Sequence, residues 1–589
     1  MKTAPAVVPA PIEGDMPRYT LLLTLGHNAS AIAIDEESGH QIGYEEERLS
    51  GKKSDSSFPA LAIQEIGKHI PLKSIELYFV SHWFDAFDVR VAQKYWDPAR
   101  LHALCPNAVR VSPYVTSPDG ADVVPMSHHD GHAYSALAFT EHYADVDETW
   151  HVMVVDGFGT REEVMSIYQC KDPDSVEPGA EELTLIHRSY GYNHSLGLMF
   201  QYAAEYCGMH GFDDVYKFLG YQAQVTPDDT TVWHDILVDH ADRFVKKEIE
   251  LLLRCKHPEL PESHNPLQWI NHGRLGAARD RWMDLFQDVQ DAETVTVEVL
   301  RARIGFFVQR VLERTLAGIV EHFGITNMMA AGGCFYNVKL NGYLLNHVKR
   351  LSVMPLAGDQ GAAIGLYRRC KGPWSWAPNL ATGIRRPVPL SADNPDLPQG
   401  MFVLSRFSKC ANIVVKHLQA GAIVNIVRPT MEFGPRALCY TPTLALATME
   451  NVKAINAFNG RNTIMPMAPV MTRASAFYKV FDSKELNRTI GTDEFMVCAH
   501  PVNPDLVESM QGATLREQGH HTARPQLVSN DDTMTEILTS IDAPCLINTS
   551  FNGHGSPIVF TLQDVIDLHN AWLEKQRPEY FITLYFISE

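Results

Sequence analysis

Two stretches of the chain share one arrangement of apolar runs around a turn of small residues. The runs LLLTL and AIAI flank the turn GHNAS within residues 19–35, and a further strand is expected at 41–44. The second stretch, at 151–170, reads HVMVVDGFGTREEVMSIYQC and has the same strand, turn and strand layout. Short apolar runs bounded by glycine and polar residues are typical of strands. The recurrence predicts an internal duplication.

Helical periodicity marks other parts of the chain. A helix is expected to begin near Ser127, a favourable N-cap, in SHHDGHAYSALAF. Residues 295–323 place apolar side chains on one face of a long amphipathic helix. The runs MMAAGGCFYN and VMPLAGDQGAA each predict a buried strand, a glycine-rich turn and a helix start. Ligands of α/β proteins bind at such carboxyl ends of strands, so we expect a site there.

Proline marks the main boundary. Six prolines fall within 371–400 without helical or strand periodicity, which predicts a linker. We expect a flexible lead-in at 1–18, a first domain at 19–370 with a helical insertion at about 225–325, and a second α/β domain at 401–589.

Composition narrows the class of protein. A chain of 589 residues with 45% hydrophobic and 20% charged residues predicts a folded protein with more than one core and excludes a disordered one. The net charge of -20 disfavours non-specific coating of nucleic acid and leaves room only for a local basic groove. Scattered cysteines, a lead-in without a signal-peptide core and no run near ~18 apolar residues predict a cytoplasmic protein with no membrane partner.

Four residues form a candidate metal site. His128 and His132 are four apart, so a helix projects both from one face toward a single ion. Asp156 and Asp359 lie beside glycines at predicted strand ends. Imidazoles combined with carboxylates suit iron, manganese or zinc better than calcium. A helical histidine pair alone is more often structural, which is the role we expect for the neighbouring His129.

Other clusters allow two interpretations. Gly332 and Gly333 either offer backbone amides to a phosphate or form a packing turn. The charged residues at 45–48 and 52–53 are typical of a solvated face, and His27 of an ordinary turn. In the carboxyl-terminal part, MEFGPRAL, HTARPQ and INTSFNGHGSPIV combine arginine with hydroxyl and amide groups, a combination that recognises a small anionic ligand.

Together these motifs resemble the NodU/CmcH-type O-carbamoyltransferases. Nine segments in family order carry the resemblance: GHNASA, EEERLSGKK, SHHDGHA, VVDGFG, YKFLG, AAGGCFYNVKLN, PLAGDQGAA, MEFGPRAL and NTSFNGHGSPIV. The resemblance implies an α/β protein in which a duplicated actin-like (ASKHA-type) ATPase domain precedes a YrdC-like α/β domain.

The resemblance also implies chemistry in stages. Carbamoyl phosphate is cleaved in the YrdC-like domain, and the carbamate then reacts with ATP to give carbamoyl adenylate in the ATPase domain. An acceptor hydroxyl attacks the adenylate and AMP leaves. A route shielded from water suits an intermediate as unstable as carbamate. The implied cofactors are ATP and a divalent metal, namely iron, manganese or zinc, with magnesium compatible.

Residue roles follow from the matching motifs. The implied metal ligands are His128, His132 and Asp359, and the implied catalytic residues are His27 as base, Lys53, and Asp156 near metal and phosphates. Gly332, Gly333 and Asn337 are implied to contact the adenylate. The implied carbamoyl phosphate contacts are Arg436, Arg461, Arg524, Asn548, Ser550 and Asn552.

The chain departs from the family in the implied donor pocket. Residues 459–469 read NGRNTIMPMAP where relatives commonly have KxREsFRPFAP, and GPRALCYTP replaces GPRALG-NRS. These changes remove cationic groups. They motivate an alternative from another class, a non-catalytic or purely hydrolytic nucleotide-binding relative.

The acceptor is not named by any motif. The forms GYEEERLSGKK and YKFLGYQ are similar to the bacteriophage branch of the family, which implies 5-hydroxymethylcytosine in DNA as acceptor, modified in a host cytoplasm. A hydroxyl of a secondary metabolite or nucleotide is the alternative, and threonylcarbamoyl transfer to tRNA ranks last. A homodimer is compatible with the family. A DNA acceptor requires a basic groove, and candidates lie at 246–247, 368–371 and 385–386.

Overall fold

The structure is a computed structural model of the 589-residue chain. It describes residues 18–81, 95–111, 114–116, 123–140, 149–171, 182–210, 212–224, 235–255, 272–290, 295–372, 380–385, 397–460, 466–475, 479–489, 491–517, 520–575 and 580–589.

The first part of the chain builds two five-stranded sheets of identical topology. The first has β1 (Tyr19–Thr24), β2 (Ser30–Asp35), β3 (Gln41–Glu45), β4 (Ile75–Ser81) and β5 (Val109–Arg110) in the order β3-β2-β1-β4-β5. After a hairpin of β6 (Tyr114–Thr116) and β7 (Val123–Pro125), the second has β8 (Trp150–Val155), β9 (Glu163–Cys170), β10 (Leu183–Tyr190), β11 (Asn327–Ala331) and β12 (Arg350–Val353) in the order β10-β9-β8-β11-β12.

The pairing directions also match. In each sheet the first three strands along the chain are antiparallel, and the last two join them in parallel. Parallel neighbours need crossover connections, and helices provide them. The predicted duplication is confirmed, and the repeat has the α/β architecture expected of an actin-like ATPase domain.

The helices of this part are α1 (Glu46–Ser50), α2 (Ala60–Ile66), α3 (Pro98–Leu104), α4 (His128–Phe139), α5 (Leu196–Tyr206), α6 (Phe212–Phe218), α7 (Asp235–Arg254), α8 (His272–Gln290), α9 (Val297–His322), α10 (Val338–Leu344) and α11 (Ala362–Lys371). The long predicted helix is confirmed as α9, whose apolar face is buried. Helix α4 begins where predicted, because Ser127 and Asp130 form a reciprocal capping box.

The carboxyl-terminal part is centred on a seven-stranded mixed sheet. Small strands β13 (Gly383–Ile384) and β16 (Thr430–Met431) pair with each other, and β19 (His500–Pro501), β20 (Leu515–Glu517) and β21 (His520–Ala523) form a three-stranded sheet. The large sheet has the order β14-β24-β15-β17-β23-β18-β22, with β14 (Met401–Arg406), β15 (Ile423–Val427), β17 (Pro442–Leu446), β18 (Ala468–Thr472), β22 (Gln526–Val528), β23 (Leu546–Ser550) and β24 (Phe581–Ser588). Its helices are α12 (Ala411–Gln419), α13 (Met449–Phe458), α14 (Arg473–Ser475), α15 (Ser483–Leu486), α16 (Asp532–Ser540) and α17 (Leu562–Lys575).

The two parts share a hydrophobic core. Met431, Ala437, Ile558 and Phe560 pack among the buried residues of the first sheet. Residues 380–385, inside the predicted linker, run between the two parts and pair with β16 through β13. The YrdC-like character of the carboxyl-terminal part stays a prediction.

The charged run at 45–48 is buried, so its interpretation as a solvated face is wrong. Each of its four side chains is at most 8% exposed. The carboxylate of Glu46 accepts the backbone amides of Leu61 and Ala62 at the start of α2. The buried carboxylate of Glu46 thus accepts hydrogen bonds from backbone donors inside the fold. Composition alone does not reveal such a role.

Among the residues with described structure, no helix is both long and apolar enough to cross a membrane.

Candidate active site

Four side chains converge at the carboxyl ends of the second sheet. His128 and His132 lie in the first turns of α4, Asp156 follows β8, and Asp359 follows the turn after β12. Their ligand atoms all lie within 4.8 Å of one another. The Nε2 atoms of the two histidines are 3.1 Å apart, and Nε2 of His128 lies 3.2 Å from Asp156 Oδ2 and 3.3 Å from Asp359 Oδ1.

These separations fit one shared cation. Ligands held about 2.1 Å from a single ion are separated from each other by about 3.0–3.4 Å, whether its geometry is octahedral or tetrahedral. The two nitrogens and two oxygens are a donor set for a borderline transition metal. The structure therefore brings together the four residues that the sequence proposed as a metal site.

Opposite charges dominate the electrostatics of this cluster. Burial lowers the pKa of His128, but the carboxylates of Asp359 and Asp156 outweigh burial and raise the pKa to about 10. Burial acts to raise the pKa of Asp156, whereas hydrogen bonds from both histidines hold it well below its usual range. Both carboxylates are thus ionised at neutral pH, which suits cation binding.

The glycine pair after β11 has two different roles. Gly332 has φ of +98°, and a Cβ there would overlap the carbonyl oxygen of Val155. Its amide donates to Ala357 O, so Gly332 forms the packing turn that was one of its two interpretations. Gly333 lines the cavity described below, and its amide donates to Asp156 Oδ1 at 3.1 Å.

A cavity of about 560 Å³ opens beside the metal cluster. Asp156, Asp359 and His27 form one side, and Arg436 and Arg524 reach it from the carboxyl-terminal part. Its apolar wall consists of Phe158, Leu196, Phe200, Val215, Leu219 and Leu312. A cavity of this size with a few convergent polar groups is typical of a small-molecule site.

His27, the proposed base, lies at this cavity, whereas the proposed catalytic residue Lys53 forms an ion pair and is not among the residues that line the cavity. His27 is about one-third exposed, and its Nδ1 lies 3.9 Å from Asp359 Oδ2. Lys53 forms an ion pair of 2.8 Å with Glu47. The cavity wall in this region consists of Ser54 and Ser56 instead.

Asn337 lines the cavity, but its side chain is used within the fold. Its Oδ1 caps α10 by accepting the amides of Lys339 and Leu340. Its Nδ2 donates to Gln309 Oε1 at 2.7 Å. The motif match suggested only an adenylate contact, although asparagine directly before the run VKLN is also a favourable N-cap.

The proposed carbamoyl phosphate residues divide into two groups. Arg436 and Arg524 line the cavity. Asn548, Ser550 and Asn552 are not among its lining residues: Asn548 is buried and donates to Gln526 Oε1 at 2.6 Å, and Ser550 bonds to Asn552 at 2.5 Å. Arg461 lies outside the described residues.

Family comparisons agree with this geometry. The family model described as Carbamoyltransferase N-terminus matches residues 22–366, more than half of the chain, and the one described as Carbamoyltransferase C-terminus matches residues 415–574. The chain belongs to the carbamoyltransferase family. It is therefore an enzyme that transfers carbamoyl groups.

Relatives of this carbamoyltransferase include nodulation proteins. It is 24% identical to nodulation protein NolNO of Sinorhizobium fredii, over 92% of this chain and 76% of that protein. It is 26% identical to nodulation protein NolO of Bradyrhizobium diazoefficiens, over 75% of each chain. An uncharacterized protein of Methanocaldococcus jannaschii, MJ1051, is 27% identical over 49% of this chain, and the match spans only 57% of that protein.

Among solved structures, full-length HypF in the phosphate- and nucleotide-bound form is 15% identical, with 61% of this chain and 47% of that chain covered at a TM-score of 0.28. A likeness of that size carries no functional inference.

A buried network behind the metal site was not found from the sequence. Arg188 in β10 pairs with Asp130 at 2.6 Å and with Glu163 at 2.7 Å, and it donates to Ser166. His129 bonds to the same Ser166 hydroxyl at 2.8 Å, as expected of a structural histidine. The available signal was the single arginine in an otherwise strand-like run, LTLIHRSY.

Proposed function

We propose that this carbamoyltransferase uses ATP and carbamoyl phosphate to form carbamoyl adenylate and transfers the carbamoyl group to an acceptor hydroxyl. The observation that carries the proposal is the single cavity that joins the metal cluster and His27 to the two arginines. Cations and a candidate metal site that line one cavity suit a ligand with phosphate groups and a reacting carbonyl.

The proposed bond changes balance. Water first hydrolyses carbamoyl phosphate to carbamate and inorganic phosphate. A carbamate oxygen then attacks the α-phosphorus of ATP, and pyrophosphate leaves. The acceptor oxygen then attacks the carbamoyl carbon, the bond from that carbon to the AMP oxygen breaks, and the acceptor proton passes to His27. His27 is suited to this role because it is partly exposed at the cavity and its Nδ1 lies 3.9 Å from the carboxylate of Asp359.

His128, His132, Asp156 and Asp359 would hold the metal. A bound iron, manganese or zinc ion, or magnesium, would neutralise phosphate charge and would thereby favour the departure of pyrophosphate. The chain's own part is to fix these four ligands: α4 supplies two from one face, and two strand ends supply the carboxylates.

The test is a reaction with the full-length protein. Incubation with ATP, carbamoyl phosphate and ferrous or manganous ion is expected to release pyrophosphate as the adenylate forms, and AMP as an added alcohol or water attacks the adenylate. Neither product is expected without carbamoyl phosphate. Release of ADP and phosphate without carbamoyl phosphate would instead support the alternative of a purely hydrolytic nucleotide-binding relative. No release of AMP would rule out the proposed transferase chemistry.

The proposal also concerns which molecule supplies the acceptor hydroxyl. Of the cations named for a DNA groove, Arg368 is buried and pairs with Glu182, and Arg385 is buried and donates to Thr441 Oγ1 and four backbone carbonyls. Lys246 and Lys247 are exposed on α7, Lys371 is exposed and pairs with Glu36, and Arg386 lies outside the described residues. Burial of the two arginines favours the second candidate, a small molecule with a free hydroxyl, over hydroxymethylated DNA.

Mass spectrometry decides between these acceptors. After reaction with DNA that contains 5-hydroxymethylcytosine, a carbamoyl mass increment on that nucleoside would establish a DNA acceptor. Its absence, while AMP release continues with added small alcohols or nucleosides, would establish a small acceptor. The cytoplasmic location and a homodimer stay predictions, and sedimentation of the purified protein tests the homodimer.

A further inference from the structure

A buried ion pair of the first sheet holds a loop of the carboxyl-terminal part. Glu45 ends β3, and Arg48 lies in α1 with its Nη2 and Nε at 2.9 and 3.0 Å from Glu45 Oε2. Nη2 of Arg48 also donates to the carbonyl of Gly434 at 2.6 Å. The amide of Gly434 donates back to Glu45 Oε2 at 3.2 Å. Both backbone groups of one loop residue are therefore bonded to this pair.

The bonded residue also packs against the turn that carries a metal ligand. Gly434 has φ of +101°, and a Cβ there would lie 2.5 Å from Cδ2 of Leu356. Leu356 precedes Asp359 by three residues in the turn PLAGDQG. Only glycine fits both the conformation and the contact. Gly434 thus lies between the Glu45–Arg48 pair and the turn of Asp359.

Two residues further on, Arg436 faces the cavity. It lines the cavity together with Asp359 and His27. Its Nε is buried and has no hydrogen-bond partner among the described residues. Burial lowers the pKa of Arg436, and the neighbouring Tyr336 and Tyr216 counteract only part of this. A half-buried guanidinium whose buried Nε donor is unused is costly unless an anionic ligand binds it.

The same ion pair is attached to the turn of the proposed base. Glu45 pairs with Ser30 across β2 and β3, and the amide of Glu46 donates to Ala29 O at 2.8 Å. Ala29 and Ser30 directly follow His27 and Asn28. The pair therefore bonds directly to the loop that carries Arg436, is joined through the backbone to the turn that carries His27, and reaches the turn of Asp359 only through Gly434.

We infer that the Glu45–Arg48 pair positions Arg436 against the Asp359 turn, so that the Arg436 guanidinium binds the phosphate group of the ligand. The inference rests on the proposed function, because it names the residues that orient the donor side of that cavity. A buried ion pair contributes little net stability, since desolvation offsets its attraction. The contribution of the Glu45–Arg48 pair is instead to place the Arg436 guanidinium, which belongs to the carboxyl-terminal part, at the cavity.

Binding of inorganic phosphate to the full-length protein tests this without requiring turnover. Isothermal titration is expected to show a dissociation constant raised about tenfold by combining Glu45→Met with Arg48→Met, and also by Arg436→Met. Adding Arg436→Met to the first two is expected to cause no further weakening, because the pair acts through Arg436. Glu45→Gln is expected to bind phosphate nearly normally, since its amide oxygen still accepts from Gly434 and Arg48.

A second buried pair provides the matched control. Arg368 and Glu182 are buried to a similar degree and form a bidentate pair that does not contact the cavity. Combining Glu182→Met with Arg368→Met is expected to leave the phosphate dissociation constant unchanged. An equal weakening in this control would show a general loss of stability and overturn the inference.

Three other results would also overturn it: unchanged phosphate binding in the Glu45/Arg48 variant, independent effects in the triple variant, and no phosphate binding by the unmodified protein. If the Glu45/Arg48 variant does not fold, Arg48→Lys replaces it. Lysine retains the charge beside Glu45 but not the fork that also reaches Gly434, so severalfold weaker binding is expected and unchanged binding would contradict the inference. Failure of the proposed function itself would appear in a separate measurement, as absence of AMP release in the reaction with ATP and carbamoyl phosphate.

Discussion

The imidazole rings of His128 and His132 point their Nε2 atoms at each other across 3.1 Å, between two ionised carboxylates. Two such nitrogens cannot both be neutral acceptors without repulsion, so a shared proton or a shared cation must lie between them. The negative charge of the surrounding carboxylates would stabilise either a proton or a metal cation at this position. The separations of 3.1 to 3.7 Å that involve the two histidines are close to those expected around a shared cation.

Replacing one of these rings tests whether a metal cation lies between the two histidines. His132→Ala is expected to reduce the metal content of the purified protein to background and to abolish AMP formation, because three ligands remain and one nitrogen is lost. Elemental analysis after dialysis measures the first effect. His129→Gln on the same helix is the control: its ring bonds to Ser166, so metal retention is expected. Equal metal loss in both variants would argue against the assigned ligands.

At the scale of elements, the metal site depends on how closely two helices cross. Helix α4 carries the histidines and α11 follows Asp359. A Cβ on Gly365 would overlap the carbonyl oxygen of Gly131. Glycine at this crossing lets the two backbones touch, and their separation sets the distance between the ligands.

Gly365→Ala is expected to destabilise the protein by about 2 kcal/mol or more and to weaken metal binding, because the backbones must separate. Gly276→Ala in α8 is the control, since a Cβ there meets open space. It is expected to stabilise by about 0.5–1 kcal/mol through helix propensity. Urea unfolding and metal titration measure both variants. A Gly365 variant as stable as the unmodified protein would contradict the close crossing.

A second element-scale feature ties α7 to the turn before α5. His194 bonds to Glu248 at 2.8 Å, and Glu248 also pairs with Arg281 of α8. Burial lowers the pKa of His194, but hydrogen bonds with Cys255 and Glu248 outweigh burial and raise the pKa to about 9. The protonated ring is therefore favoured by folding.

The sign of the pH dependence follows. This stabilisation is complete below about pH 6.5, the unfolded value, and is lost as the pH rises through about 9, with a maximum of about 3 kcal/mol. Urea unfolding between pH 6 and 9 is expected to show the decline, and His194→Gln is expected to reduce it by up to about 3 kcal/mol. The decline that remains comes from His128, His132 and His500, because folding raises the pKa of each of them as well. His187→Gln provides the comparison, because burial lowers the pKa of His187 and its loss should leave the decline intact. A decline of unchanged size in His194→Gln would refute the assignment.

At the scale of the whole molecule, the cavity belongs to neither part alone. Its metal side comes from the duplicated sheets and its cations from the carboxyl-terminal part. The shared core around Met431 and Phe560 holds the two sides together. Ligand binding by this enzyme thus depends on the relative placement of both parts.

Arg524→Ala tests whether the carboxyl-terminal side of the cavity binds carbamoyl phosphate and leaves ATP to the other side. Loss of its charge is expected to raise the KM for carbamoyl phosphate at least about tenfold and to leave the dissociation constant for ATP unchanged. Arg516→Ala is the control, because Arg516 is exposed on the same small sheet and does not line the cavity. Steady-state kinetics and ATP titration give the two constants. Weaker ATP binding with an unchanged KM would reverse the proposed roles.

The sequence by itself determined the duplication, the start of α4, the long helix α9 and the four candidate metal ligands, because each depends on local spacing, capping or a strand end. It misjudged Glu45–Arg48 as a solvated face and gave no sign that Arg188 forms a buried network. Charged residues reveal their burial only through partners far away in the chain. Tertiary structure alone decided that Gly332 is a packing turn, that Arg436 and Arg524 share a cavity with His27, and that Asn548 and Ser550 do not line it. Those outcomes depend on contacts between segments hundreds of residues apart, which no local pattern encodes.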